Sequence, residues 1–169
     1  GSLCSHARGQ LDATSRGVDV VSAELSEVED RCSREVDVAE LYTKLHDAGL
    51  EYGPRFQTIR RAFASGKGEA LGVVSVGSAQ DKCWDSSFHM HPAVLDGALQ
   101  LMAVAFSEDG HVESTDMMVP YRLKDYCVMG KAGLDDVSVH VKVIGRSSKG
   151  ASAAVTLYSK SGDVIASIG

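Results

Sequence analysis

One carboxylate and one carboxamide stand in a stretch that is otherwise apolar. From Ala93 to Phe106 the chain reads Ala-Val-Leu-Asp-Gly-Ala-Leu-Gln-Leu-Met-Ala-Val-Ala-Phe, and Asp96 and Gln100 carry its only polar side chains. Residues four apart on a helix share a face, one turn above the other. A carboxylate surrounded by apolar residues costs on the order of several kcal/mol unless it is paired or neutralised. Desolvation favours its protonated form, which is the form a general acid uses. Gln100 can hydrogen-bond that carboxyl and hold its rotamer. Gly97, beside it, costs a helix about 1 kcal/mol relative to alanine, which makes sense where another backbone or a ligand comes close. Two readings of Asp96 follow from the residues: an acid in a site, or a structural carboxylate that ties down a neighbouring backbone N–H.

Tyr52-Gly53-Pro54 joins the two residue types that set a rigid turn. Such a turn can present Tyr52, or a backbone N–H, to a ligand; it can equally be an ordinary helix-to-strand connection. Other signals are weaker. His89 and His91 are spaced i,i+2, which fits neither a helical metal pair nor a complete site, so no metal is expected. His91 reads better as the cap of a helix opened by Pro92. His6, His46, His111 and His140 have no partner in sequence and read as surface histidines. Gly66-Lys67-Gly68 lacks the G-K-[ST] ending of a phosphate loop, and no G-x-S-x-G elbow occurs. Cys4, Cys32, Cys83 and Cys127 show no CxxC spacing and read as unpaired thiols.

The elements around these residues follow from periodicity. Pro92 suits a first helical turn, and the run to Phe106 predicts a long helix buried on all sides. An earlier, amphipathic helix starts at Asp37 as N-cap, with Glu40 completing a capping box and Val36 and Leu41 in the staple positions. Val38, Leu41, Leu45 and Ala48 form its apolar face, and Gly49 ends it. Extended segments are expected at Thr58–Phe63 and Gly68–Val76. Val137, Val139, Val141 and Val143 alternate with polar residues, the pattern of a half-buried strand. Ala153–Ser159 and Val164–Ile168 flank the turn residues Lys160-Ser161-Gly162-Asp163. The sum is an α+β fold: a curled, mainly antiparallel sheet wrapped around one long buried helix, with a second helix outside.

With 169 residues the chain suits one compact domain with its own core. A net charge of -6 and the absence of a basic stripe argue against nucleic-acid binding. No apolar run spans a bilayer and no signal-peptide pattern opens the chain, so no membrane role and a cytoplasmic location are expected. Gly1-Ser2 reads as a cloning scar. Leu3–Leu11 reads as a short strand, and the Ser, Asp, Glu and Arg that follow predict a polar surface linker up to residue 35, including the charged run Glu24–Glu35.

Three stretches together resemble one family. His91-Pro92-Ala93-Val94-Leu95-Asp96-Gly97-Ala98-Leu99-Gln100 is similar to the "HPALLDAALQ" motif of polyketide synthase dehydratase domains. Leu50-Glu51-Tyr52-Gly53-Pro54-Arg55-Phe56-Gln57 resembles the "GLxYGPxFQ" motif that precedes it there, and Val119-Pro120-Tyr121-Arg122-Leu123 the "LPFSW" segment that follows. The resemblance runs from about Val36 to the end. Leu3–Leu11 looks like the last strand of the family's first hotdog. On this comparison residues 1–35 hold the scar, that strand and the linker, and 36–169 are a C-terminal hotdog, the second half of a double hotdog.

The resemblance implies removal of water from a β-hydroxyacyl thioester carried on the phosphopantetheine of an acyl carrier protein, with no further cofactor. Asp96 takes the role of general acid and Gln100 supports it. Tyr52, Gly53, Pro54 and Phe56 fall on the substrate-lining turn, and Met118 and Pro120 on the acyl tunnel. The family's base lies in an H-x-x-x-G-x-x-x-x-P motif that this chain lacks. The expectation is therefore a half-site, inactive alone, whose partners are the carrier protein and a missing N-terminal hotdog half; without that half, self-association or a monomer with an unusually apolar patch is expected. The same fold also serves product-template cyclases, double-bond isomerases, pyran synthases and non-catalytic pseudo-dehydratase scaffolds, and these remain alternatives.

Overall fold

The computed structural model of the chain describes residues 9–10, 24–77, 89–107, 118–131, 136–147 and 150–169. All but Gly9 and Gln10 of the strand expected at Leu3–Leu11, and most of the linker that follows, lie outside these residues, as do Cys4, Cys83, His6 and His111. In chain order the elements are α1 (Leu25–Arg31), β1 (Arg34–Val36), α2 (Val38–Asp47), β2 (Ile59–Ala64), β3 (Glu69–Val74), α3 (Pro92–Gln100), α4 (Met102–Phe106), β4 (Cys127–Val128), β5 (Val137–Ser147), β6 (Gly150–Tyr158) and β7 (Val164–Ile168). The seven strands form one sheet in the order β1-β2-β3-β5-β6-β7-β4, and all its pairings are antiparallel.

The strand alternation decides which face is the core. Register places Val139 between Gly72 and Leu157, and Val141 between Ala70 and Val155. These residues point to one face, because side chains two apart on a strand share a side. They are buried together with Val94, Ala98, Leu101, Val104 and Ala105 of the α3–α4 segment. The helix therefore lies across the inner face of the sheet, as its apolar composition requires.

The expected long helix is present: Leu101, completely buried and in right-handed helical geometry, joins α3 to α4, its N–H donating to the Gly97 carbonyl at 3.2 Å and its carbonyl accepting the Ala105 N–H at 3.3 Å. One expectation about it is corrected: it is not buried on all sides. Leu95, Asp96, Leu99, Met102 and Ala103 are only half-buried, and together they form one rim of the segment. The apolar run is long because the sheet takes one side and the half-open rim keeps apolar residues too.

Helix α2 stands at the edge of this core with Leu41 and Leu45 buried. The Asp37 carboxylate accepts the backbone N–H groups of Ala39 and Glu40 at 2.8 and 3.1 Å. The expected capping box is only half made, because Glu40 instead pairs with Lys44 at 3.0 Å, one turn on. At the other end the Gly49 N–H donates to the His46 carbonyl and the Leu50 N–H to that of Leu45. That pair of bonds is a Schellman motif, and it needs the left-handed φ of +86° that Gly49 adopts. Chain direction into the Leu50–Gln57 segment is fixed by this stop.

Residues 24–35 are not a solvated linker. They form α1 and the start of β1, and α1 lies on the outer face of the sheet. Val28 is completely buried there, beside Cys32 and Leu71, with Leu25 and Phe63 packed around them. The neighbouring Glu69 carboxylate is buried and receives Arg31 Nε at 2.9 Å and Lys142 Nζ at 3.2 Å. A single apolar stripe and one ion-pair cluster suffice to dock two turns of an otherwise charged helix. Cys32 is a free thiol, and burial pushes it up to about 11. Among the described residues no helix is long and apolar enough to cross a membrane.

His140, read from sequence as a surface residue, is buried in this same cluster. Its Nε2 lies 3.7 Å from the Glu69 carboxylate and makes no hydrogen bond. Burial lowers its pKa; the Glu69 charge opposes this, and Arg31 and Lys142 add to the lowering. For Glu69 burial pushes the carboxyl up, but the bonds and charges of Arg31 and Lys142 outweigh it and the net shift is downward. Both folded pKa values lie below the unfolded ones, so the unfolded chain binds protons first and acid destabilises the fold. The His140 contribution is complete above its ordinary value of 6.5 and is lost as pH falls from there. The Glu69 contribution follows below 4.5. Thermal melts between pH 7.5 and 5.5 should show a falling Tm in the natural chain and a flatter profile in His140→Gln; an identical slope in both would contradict this assignment.

Candidate functional site

Helix α3 is set in place before its polar residues are considered. His91 is its N-cap: Nδ1 accepts the Ala93 N–H at 3.1 Å, and Pro92 occupies the first turn. Through that bond this histidine serves the backbone. Thr58, buried just before β2, donates its hydroxyl to the Ala93 carbonyl at 3.0 Å. Gly97 explains itself at this contact. A Cβ there would overlap Thr58 Oγ1 and stand 2.9 Å from Val74 Cγ1. The close approach is by the side chains of Thr58 and of Val74 in β3, where the sequence pointed to a backbone or a ligand.

Asp96 and Gln100 then project from the same face of α3. Gln100 is buried and Asp96 half-buried. Gln100 Nε2 donates to Asp96 Oδ2 at 2.6 Å and to the Phe56 carbonyl at 3.0 Å. Its Oε1 accepts the Tyr42 hydroxyl at 2.9 Å, and the Tyr42 oxygen accepts the Ile59 N–H at 3.1 Å. Every hydrogen-bonding capacity of the carboxamide nitrogen is used, which is what a buried amide requires. Among the described residues no group bonds the other carboxylate oxygen of Asp96.

The Leu50–Gln57 segment supplies the carbonyl. Phe56 and Gln57 N–H groups both donate to the Gly53 carbonyl, at 2.9 and 3.2 Å, and Gln57 Nε2 closes the turn onto the Tyr52 carbonyl at 2.9 Å. Gly53 and Pro54 are exposed and shape the turn. Phe56 contributes its backbone, while its side chain is exposed. The Tyr52 ring meets the Tyr42 ring edge-on, with centroids 6.4 Å apart. Burial raises both phenols, Tyr42 to about 12. Both therefore remain neutral donors at any ordinary pH.

Beside the carboxylate is a cavity of about 160 Å³, lined by Leu45, Leu50, Tyr52, Asp96, Leu99, Gln100, Ala103 and the segment Met118-Val119-Pro120. Thus the structure brings Asp96, Gln100, Tyr52, Met118 and Pro120 to one place. It does not bring Gly53, Pro54 or the Phe56 side chain there. Tyr42 and the apolar walls Leu45, Leu50, Leu99 and Ala103 were not singled out from sequence. Tyr42 follows Leu41 and precedes Leu45 by three, so it flanks the apolar face of α2; that position was its only signal. Among the described residues no histidine lines the cavity, and no group of three His, Cys, Asp or Glu could hold a metal.

An acid in an apolar cavity, with one oxygen held and the other free, can deliver a proton to a leaving oxygen or take one from carbon. The arrangement holds one such group; a second would have to come from outside the described residues. The Gly97 contact offers a check on how tightly the acid-bearing helix is held. Gly97→Ala gains helix propensity of about 1 kcal/mol but drives a methyl into Thr58 and Val74. Calorimetry should show a net loss of about 1–3 kcal/mol; a stabilised variant would mean that the helix is free to shift.

Comparison with known proteins gives one family. Residues 21–169 match the family model described as "Polyketide synthase dehydratase N-terminal domain". A polyketide synthase of Streptomyces halstedii, GfsE, is 37% identical over 117 residues, 63% of this chain and 3% of that protein. A naringenin synthase of Pestalotiopsis fici is 37% identical over 90 residues, 53% of this chain and 3% of its own. Among solved structures, the dehydratase domain from the CurF module of curacin polyketide synthase superposes with a TM-score of 0.73 at 22% identity, covering 86% of this chain and 49% of that one. The dehydratase domain of RzxB from Pseudomonas fluorescens gives 0.67 at 23%, covering 80% and 47%. The fold is thus the hotdog arrangement of these domains. The chain spans about half the length of the dehydratase structures, and a few per cent of the curated relatives.

Proposed function

This chain belongs to the polyketide synthase dehydratase family, and we propose that it is the acid-bearing, C-terminal half of a dehydratase domain acting on a β-hydroxyacyl thioester held by an acyl carrier protein. The observation that carries the reading is the pairing of Asp96 with Gln100 on the rim of an apolar cavity. The matching family model is described as an N-terminal domain; placement in the second half rests on the order of the three sequence motifs and on the acid-bearing helix.

In the proposed reaction a base of the other half, a histidine in the family's pattern, takes the α-proton. Its electron pair forms the α,β double bond as the C–O bond at the β-carbon breaks. The hydroxyl departs as water with the proton of Asp96. Gln100 then donates to the carboxylate that remains and holds it in place. The apolar walls Leu99, Ala103, Met118 and Val119 suit an acyl chain and keep water from the acid. The substrate arrives on phosphopantetheine, so the reaction asks for no resident cofactor.

A half-domain leaves a surface for its other half. Between Met118 and Met129 the side chains of Val119, Tyr121, Leu123 and Tyr126 are exposed, Tyr121 by 95% and Val119 by 65%. Exposed apolar residues grouped in one segment mark an interface. Light scattering on a sizing column should find the isolated chain self-associated and a one-to-one complex once the other half is added. A clean monomer that ignores the other half would remove this argument.

Activity is checked on the same material. Enoyl product on the carrier protein is followed by mass spectrometry. The chain alone should give none, and chain plus other half should dehydrate the β-hydroxyacyl substrate. Asp96→Asn in that assembly should lower the rate by about 10²–10⁴. Dehydration by the isolated chain, or an Asn variant with full activity, would sink the proposal.

A further inference from the structure

We infer that Tyr42 is a positioning residue for the acid: its hydroxyl orients the Gln100 carboxamide, and through it the Asp96 carboxyl. The inference deepens the dehydratase reading and rests on Asp96 being the acid. Its own ground is the direction of the hydrogen bonds. The Tyr42 oxygen takes the Ile59 N–H at 3.1 Å, so its own proton is left for Gln100 Oε1 at 2.9 Å. With Oε1 so committed, Nε2 must face the two remaining neighbours, the Phe56 carbonyl and Asp96 Oδ2. Both are acceptors. A carboxamide turned the other way would set its oxygen against two oxygens and its nitrogen against a hydroxyl whose proton points at it.

The order of elements makes the chain of bonds rigid. Ile59 is the first residue of β2, Tyr42 lies in the middle of α2, and Gln100 ends α3. Three elements are thus tied through one phenol. Burial keeps that phenol protonated, at a pKa of about 12, so the donor persists over any working pH. The edge contact with the Tyr52 ring places the phenol between the turn and the helix. Tyr42 does not border the cavity and touches no substrate there; its effect on the acid passes through Gln100.

The test has two arms. In the 15N-labelled chain, the Gln100 side-chain N–H signals, assigned by their loss in Gln100→Leu, should exchange slowly with solvent. In Tyr42→Phe that protection should disappear while the backbone signals of the sheet persist. In the assembly with the other half, Tyr42→Phe should lower kcat about tenfold, the worth of one hydrogen bond to a polar group, at unchanged KM. The double variant Tyr42→Phe/Gln100→Leu should be no slower than Gln100→Leu alone, because a residue acting through another adds nothing once that one is gone. Losses that multiply, a change confined to KM, or an unprotected Gln100 amide in the natural chain would each overturn the inference. If Tyr42→Phe does not fold, a polyfluorinated tyrosine at 42 keeps shape and the Ile59 bond but ionises at lower pH. Its kcat should then fall with rising pH where that of the natural enzyme does not, and matching profiles would overturn the inference. An assembly that never dehydrates condemns the acid reading, while the Gln100 protection still decides whether Tyr42 orients the carboxamide.

Discussion

Burying a carboxamide is tolerable only where each of its atoms finds a partner, and much of the site's geometry follows from meeting that condition at Gln100. The amide sits at the end of α3, close to the fully buried Leu101. An unmet donor or acceptor there would cost about 1–3 kcal/mol. Meeting it draws in α2 through Tyr42, β2 through Ile59 and the turn through the Phe56 carbonyl. The remaining N–H then belongs to Asp96. The carboxylate's place is therefore a by-product of satisfying its neighbour, which is why a short polar pair can be held firmly on a helix that is otherwise apolar.

Packing supplies the second half of that firmness. Thr58 bonds the Ala93 carbonyl one turn before Asp96, and Gly97 lets that side chain and Val74 lie against the helix. The helix is thus pinned at its N-cap by His91, along its flank by Thr58, and at its far end by Gln100. A lone apolar helix on a sheet could slide or rotate at small cost, because hydrophobic contact has no direction. The polar bonds give it one.

The sequence was most informative where causes are local. Asp37, Gly49, His91 and Pro92 act within a few residues of themselves, and their caps and stops follow from residue type. Asp96 and Gln100 lie four apart, so their contact is a property of any helix. Tyr42, Phe56 and Thr58 act across 58, 44 and 35 residues. No periodicity announces which strand start will meet which helix end. The polar segment before Val36 misled for a related reason. Composition averages over a helix, while docking needs only one face, and α1 docks through Val28, Cys32 and a pairing of Arg31 with Glu69 that lies 38 residues away. His140 was misread with it, since it is buried beside the same Glu69 carboxylate that Arg31 of that helix pairs with.

The two kinds of wall around Asp96 differ in how they are built, and the difference has consequences for what the cavity could accept. The polar side is held by α2, α3 and the start of β2, each capped or bonded to the others. The opposite wall, Met118-Val119-Pro120, lies outside the strands, and among the described residues the segment first bonds back to the end of the sheet at the Lys124 carbonyl, which takes the Gly169 N–H at 3.0 Å. Few backbone bonds and exposed side chains are the marks of a segment that opens at low cost. On the dehydratase reading the reacting carbons are the same in every substrate while the acyl tail differs. Fixed polar geometry at the first and an adaptable apolar wall at the second is the division such a substrate asks for. It also puts the adaptable wall next to the surface where the other half would dock, so that the partner and the acyl chain would shape the same residues.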